Sequence, residues 1–138
     1  MKVVIDNNVI IDALKPNPQF EVNAQEILRL ASVKKIDGFV SANSLTDIFY
    51  VLRKAHGAEK AKAMVQKLLL ILDIIGIDSI DCVDALSLPM NDFEDAIIAV
   101  CAKKVGADCI VSRDERFIKS GTEVSVITAE QLLKNVKE

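Results

Sequence analysis

Histidine occurs once in the 138 residues, at His56, and tryptophan does not occur at all. A single histidine excludes a His-rich metal site and argues against a Ser-His-Asp triad, whose serine needs an imidazole held beside it. The cysteines are Cys82, Cys101 and Cys109, odd in number and never spaced as CxxC. That pattern disfavours a disulfide framework or a Cys-rich zinc site, and a reducing, cytoplasmic location is expected. Aromatic residues make up 4% of the chain, too few for an extended base-stacking platform. The apolar stretch Leu68–Leu72 is closed by Asp73, so no membrane span is expected. Asp6 comes too early for the apolar core of a signal peptide. Three prolines and five glycines leave no material for a flexible linker or a low-complexity segment.

What is present is the balance of a folded protein, 51% apolar and 27% charged, at a length that suits one domain over residues 1–138. The formal net charge of −3 conceals an uneven distribution. Between Leu68 and Ala102 there is no Lys or Arg but seven acids, Asp73, Asp78, Asp81, Asp84, Asp92, Glu94 and Asp95. The rest of the chain carries 17 basic and 13 acidic residues. An acidic centre in mildly basic surroundings suits a cation together with a polyanion, and equally a plain solvated acidic face.

Apolar periodicity orders the elements. Lys2–Ile5 reads as a strand buried on both faces, stopped by Asp6-Asn7-Asn8. Val9–Leu14 reads as a short helix broken by Pro16-Asn17-Pro18. Phe20, Ala24, Ile27, Leu28 and Ala31 space a second helix that runs to about Lys34, and Gly38–Ser41 is a short strand. Leu45, Ile48, Phe49 and Leu52 line a helix ending at His56-Gly57. Ala61 to Ile75 is expected to form its antiparallel partner, closed by Gly76. Ile77–Val83 is ambiguous, with room for an edge strand. A small helix precedes Pro89, and Asp92–Val105 forms a longer one closed by Gly106. Asp108–Val111 and Glu123–Ile127 read as strands, and Thr128-Ala129-Glu130-Gln131 as a capping box opening a last helix to about Val136. Alternation of this kind predicts an α/β fold, a three-layer α/β/α sandwich with a mainly parallel central sheet.

Sites in such folds lie beyond the carboxyl ends of the strands, which directs attention to four acids. Asp6 follows the first strand, and Asp114 follows Cys109–Val111 in Val111-Ser112-Arg113-Asp114. Asp95 is expected in the first turn of its helix within Asp92-Phe93-Glu94-Asp95, and Asp47 in the first turn of another within Ser44-Leu45-Thr46-Asp47. Each also has a local reading: Asp47 and Asp114 as capping-pattern acids, Asp95 as a dipole partner, Asp6 as a turn residue. Together, converging carboxylates without a cation repel and raise one another's pKa. All-oxygen clusters suit hard ions such as Mg²⁺ or Mn²⁺.

The sequence resembles the PIN domain family, which includes the VapC-type toxins of toxin–antitoxin pairs and related metal-dependent ribonucleases. The resemblance is carried by Val4-Ile5-Asp6-Asn7-Asn8-Val9-Ile10-Ile11-Asp12, by Ser44 to Lys54, by Asp92-Phe93-Glu94-Asp95-Ala96-Ile97-Ile98-Ala99 and by Gly106-Ala107-Asp108-Cys109-Ile110-Val111-Ser112-Arg113-Asp114, in the family's order over nearly the whole chain. It implies a metal site of Asp6, Asp47, Asp95 and Asp114. Ser112 matches the small polar residue before the last acid, and Asn8 the polar residue two after the first. The family's second acid is usually Glu, so Asp47 reaches about one methylene less far. The implied activity is hydrolysis of RNA phosphodiester bonds with Mg²⁺ or Mn²⁺, leaving a 5′-phosphate and a 3′-hydroxyl. The implied partners are an RNA substrate, a small antitoxin protein and a second copy in a homodimer.

Among basic residues, Arg53, Lys54, Arg113, Arg116 and Lys119 are placed near the expected edge, where Arg113 and Arg116 suit phosphate contacts. Asp12 and Asp92 are assigned to supporting or structural positions. Three other readings compete. A catalytically degenerate PIN domain that binds RNA or protein gains only from the short Asp47. A HAD-type phosphatase also opens with a strand ending in Asp, but places a second Asp where this chain has Asn8. A response-regulator receiver lacks its late lysine here.

Overall fold

The computed structural model describes residues 1–15 and 17–136. Five strands, β1 (Lys2–Ile5), β2 (Asp37–Ser41), β3 (Asp73–Ile75), β4 (Cys109–Val111) and β5 (Val126–Ile127), form one sheet in the order β3-β2-β1-β4-β5. Every pairing is parallel, with Val3 opposite both Gly38 and Cys109. The eight helices of the described residues are α1 (Asn7–Leu14), α2 (Glu21–Ser32), α3 (Ala42–His56), α4 (Ala58–Leu68), α5 (Ser79–Leu86), α6 (Phe93–Val105), α7 (Glu115–Ile118) and α8 (Ala129–Asn135).

Strand alternation splits the core in two. Val3, Ile5, Val40, Cys109 and Val111 face one way and pack with residues of α1–α4 and α8. Val4, Ile75, Ile110 and Val126 face the other and pack with α5, α6 and α7. Successive side chains of a strand point to opposite faces, so a sheet covered on both sides needs apolar residues at every central position. Val3, Val4, Ile5 and Ile110 are all fully buried. The predicted three-layer α/β/α sandwich is therefore the observed architecture, with a fully parallel sheet.

The chain starts at the middle of the sheet, builds β2 and β3 to one side, and returns to lay β4 against β1. The order reverses between β1 and β4, and a cleft opens there beyond the carboxyl ends. Asp6 leaves β1 at this point, its N–H donating to the Val111 carbonyl at 2.9 Å.

Several boundaries differ from the sequence expectation. The first helix begins at Asn7 rather than Val9, because Asp6 caps it through its own side chain. The Pro16 part of the expected break lies outside the described residues. α4 stops at Leu68 instead of running to Ile75, since Asp73–Ile75 pairs with β2 as the edge strand. The ambiguous Ile77–Val83 segment is helical from Ser79. Asp78 and Asp81 form a reciprocal capping box, with bonds of 3.0 Å in both directions. The last strand shortens to Val126–Ile127. The last helix opens on the expected Thr128–Gln131 box. No helix among the described residues is long and apolar enough to cross a membrane. Cys101 and Cys109 are buried and all three cysteines are free.

Candidate active site

The site is assembled around Ser112, which is fully buried just past β4. Its hydroxyl donates to Asp6 Oδ2 at 2.8 Å and accepts from the Asp114 N–H at 3.1 Å. Asn8 Nδ2 lies between Asp6 Oδ2 (3.2 Å) and Ser112 Oγ (3.4 Å). Asp6 Oδ1 accepts the Asn7 N–H at 2.8 Å. Asp6 is 3% exposed, and burial pushes its pKa up. The Ser112 and Asn7 bonds oppose that rise, and the charges of Asp114 and Asp92 add to it.

α6 brings the next acids. Asp92 is its N-cap and accepts the Asp95 N–H at 3.1 Å, which leaves the Asp95 carboxylate in the first turn facing the cleft. The pKa of Asp95 is pushed up to about 7, first by burial and then by the charges of Asp92, Asp6, Asp114 and Glu94. Asp114 caps the short α7, accepting from the Arg116 N–H at 3.0 Å. Asp92, Asp95 and Asp114 line a cavity of about 660 Å³ together with Arg116 and Lys119.

Asp47 stands apart from this group. α3 starts at Ala42, so Asp47 lies in the second turn, not the first, and Ser44-x-x-Asp47 is not a capping box. Ser44 is instead buried against Ser41, Oγ to Oγ at 2.9 Å. Asp47 Oδ2 accepts from Asn7 Nδ2 at 3.0 Å, and the same Nδ2 donates to Glu94 Oε1 at 2.8 Å. The Glu94 pKa is pushed up to about 7, first by burial and then by the Asp47 carboxylate beside it.

Among the described residues, no Lys or Arg forms a salt bridge with Asp6, Asp47, Asp92, Asp95 or Asp114. No three His, Cys, Asp or Glu side chains among them close into a ready-made cage. The donor set nevertheless fits a hard divalent ion. It is all oxygen and electrically unbalanced, and Mg²⁺ keeps several of its waters while taking only one or two carboxylates directly.

A family model described as the PIN domain matches residues 2–116. The chain belongs to the PIN domain family. It is 30% identical over 138 residues to Ribonuclease VapC1 of Aquifex aeolicus (strain VF5), covering 94% of this chain and 92% of that protein. Two solved structures share its fold at low identity. VapBC2 from Rickettsia felis, bound to a DNA fragment from its promoter, has a TM-score of 0.70 at 19% identity, covering 93% of this chain and 98% of that one. Mycobacterium tuberculosis VapC20, described as a sarcin-ricin loop cleaving toxin, has a TM-score of 0.68 at 16% identity, covering 87% and 95%.

In this PIN domain the basic residues separate by position. Arg116 and Lys119 line the acidic cavity. Arg113 does not open onto it. Its Nε donates to Asp12 Oδ2 at 2.6 Å and its Nη2 to Asp12 Oδ1 at 3.2 Å, with the guanidinium 4.6 Å from the Phe20 ring centre. Asp12 is thereby structural, as anticipated. Arg53 and Lys54 sit in the last turn of α3 over Tyr50, about 17 Å along the axis from the helix start at the cleft. They are not at the edge where the sequence placed them. Two residues that the sequence reading passed over, Asn7 and Glu94, touch the site. Both lie beside residues already singled out, Asp6 and Asp95, and direction rather than spacing sets them apart. Asn7 projects toward α3 and α6, whereas Asn8 projects toward Ser112.

Proposed function

We propose that this PIN domain is a Mg²⁺- or Mn²⁺-dependent endoribonuclease, the toxin of a toxin–antitoxin pair. It forms one domain over residues 1–138, works in the cytoplasm as a homodimer, and is held by a small antitoxin protein. The observation that carries the reading is the carboxylate group at the switch point. Asp6, Asp95 and Asp114 gather there without a salt bridge to any Lys or Arg among the described residues, and Asp95 is raised to about 7 first by burial and then by the charges of its acidic neighbours. The 30% identity to a protein named a ribonuclease supports RNA as the substrate.

Asp6 and Asp95 would hold the ion directly, with Asp114 and Asp47 completing the set or orienting a water. When bound, the ion lowers the pKa of a water and offsets charge on the scissile phosphate. The chain's own groups do the rest. Ser112 and Asn8 donate to Asp6, which favours its ionised form and fixes its direction. Arg116 and Lys119, on the cavity wall, meet the flanking phosphates of the RNA. Arg113 serves by locking the β4–α7 turn to α1 through Asp12.

The test is cleavage of a panel of single-stranded and structured RNAs in Mg²⁺ and in Mn²⁺, with EDTA and Asp95→Asn controls. Cleavage that needs metal and falls by at least about 10²-fold in Asp95→Asn is expected. Cleavage that persists in EDTA, or survives Asp95→Asn, refutes this metal site.

A further inference from the structure

Asn7 is the first residue of α1, and its backbone N–H is already tied to Asp6. Its side chain turns away from Asp6 and places one nitrogen between two acids from different helices. Asp47 Oδ2 lies 3.0 Å from Nδ2, and Glu94 Oε1 lies 2.8 Å from it. A primary amide nitrogen carries two protons, and both are used. The opposite orientation of the amide would set its oxygen against the two acids and give up both of these donations. The two neighbours therefore decide which way the group points.

The contact falls where this chain departs from its family's pattern. A Glu at position 47 would reach farther by one methylene, whereas Asp47 must be steered by a short side chain on a helix two turns long. We propose that Asn7 is a positioning residue of the metal centre: its amide clamps the Asp47 carboxylate beside Glu94 and so fixes where the shortened acid stands relative to Asp6. The proposal rests on the reading of Asp6, Asp47, Asp95 and Asp114 as that centre. An amide suits the task because it supplies two donors and carries no charge. A hydroxyl has one proton and cannot serve both acids. An aspartate would add a further negative charge to an already unbalanced group. Partners that orient metal-ligating carboxylates typically matter by 10–100-fold in metal affinity or activity.

The experiment measures Mn²⁺ affinity on the full chain by electron paramagnetic resonance of the free ion, and initial cleavage rates on total cellular RNA. It uses wild type, Asn7→Ala, Asp47→Ala, Asp47→Glu, the two doubles that combine each Asp47 variant with Asn7→Ala, and Asp95→Asn. Asn7→Ala is expected to weaken Mn²⁺ binding by about tenfold. It should add less than about twofold in the Asp47→Ala background, because it acts through that residue. In the Asp47→Glu background its cost should shrink, because the longer acid needs less steering. A residue that merely held the fold would show no such dependence on position 47. Wild-type Mn²⁺ affinity in Asn7→Ala, or a loss that simply multiplies with that of Asp47→Ala, overturns the proposal. Should Asn7→Ala fail to fold by circular dichroism, Asn7→Ser carries the same comparisons. Asp95→Asn separates the two levels of the argument. If it binds Mn²⁺ like wild type, the metal-centre reading falls and the role of Asn7 falls with it. If it loses Mn²⁺ while Asn7→Ala keeps it, only the role of Asn7 falls.

Discussion

A serine hydroxyl has one proton and two lone pairs, and Ser112 uses all three capacities, on Asp6, on the Asp114 N–H and on Asn8. Because it is buried, no water can replace what a substitution removes. Ser112→Ala is expected to destabilise the fold by about 1–3 kcal/mol, the cost of leaving buried partners unpaired. It should also push the already raised Asp6 pKa higher, so cleavage falls more steeply at acidic pH than in wild type. Urea unfolding and a pH–rate profile check the two effects. The same scale explains one limit of the sequence. Arg113 and Arg116 stand three residues apart and look alike as text. Only the position of Asp12, in the second turn of another helix, decides that one is a brace while the other lines the cavity.

Elements were legible where their ends carry local chemistry. Thr128–Gln131 opened α8 as expected, Gly106 takes a left-handed φ of 67° at the end of α6, and Gly57 (φ 87°) follows α3. The misplaced segments are those whose state depends on a distant partner. Leu68–Leu72 continues the apolar stripe of α4, and nothing local says that Asp73–Ile75 must leave the helix to pair with β2. The α5 start did have a local signal, the Asp78–Asp81 box, hidden by surrounding isoleucines that suit a strand. Gly38 in β2 shows how closely these layers meet. A Cβ there would lie 2.4 Å from Leu72 Cδ2 and 3.2 Å from Ala31 Cβ. Gly38→Ala is expected to cost about 1–3 kcal/mol through overpacking, read as a lower urea midpoint with an unchanged slope. Cleavage per folded molecule should stay near wild type, since Gly38 lies near the start of β2, away from the carboxyl ends where the acids gather.

The charge balance of the whole molecule sets its response to pH. Asp95 and Glu94 are raised to about 7 from ordinary values of 3.8 and 4.5. Between about pH 4 and pH 7 the folded chain therefore keeps protons that the unfolded chain has released, and stability falls as pH rises through that window. Asp81, held low by Lys104, titrates beneath it. The metal-free protein should melt a few degrees lower near pH 8 than near pH 5.5. Saturating Mg²⁺ should restore more of that loss at the higher pH, where the carboxylates are free to bind it. Asp95→Asn should flatten both dependences. Thermal melts at the two pH values, with and without Mg²⁺, check all three.

The sequence by itself determined the layers and the edge. Short β-branched strands alternating with capped helices specify a parallel sheet covered on both faces, and the acids at strand ends follow from it. Asp6, Asp95 and Asp114 were marked by position along the chain, because strand ends and helix starts are local events. Tertiary structure decided which neighbour of each marked acid takes part. It turned Asn7 rather than Asn8 toward Asp47, brought in Glu94, and withdrew Arg113, Arg53 and Lys54. Those choices depend on the distance and angle between helices that are far apart in sequence. No local pattern encodes such a distance until the core has closed around the sheet.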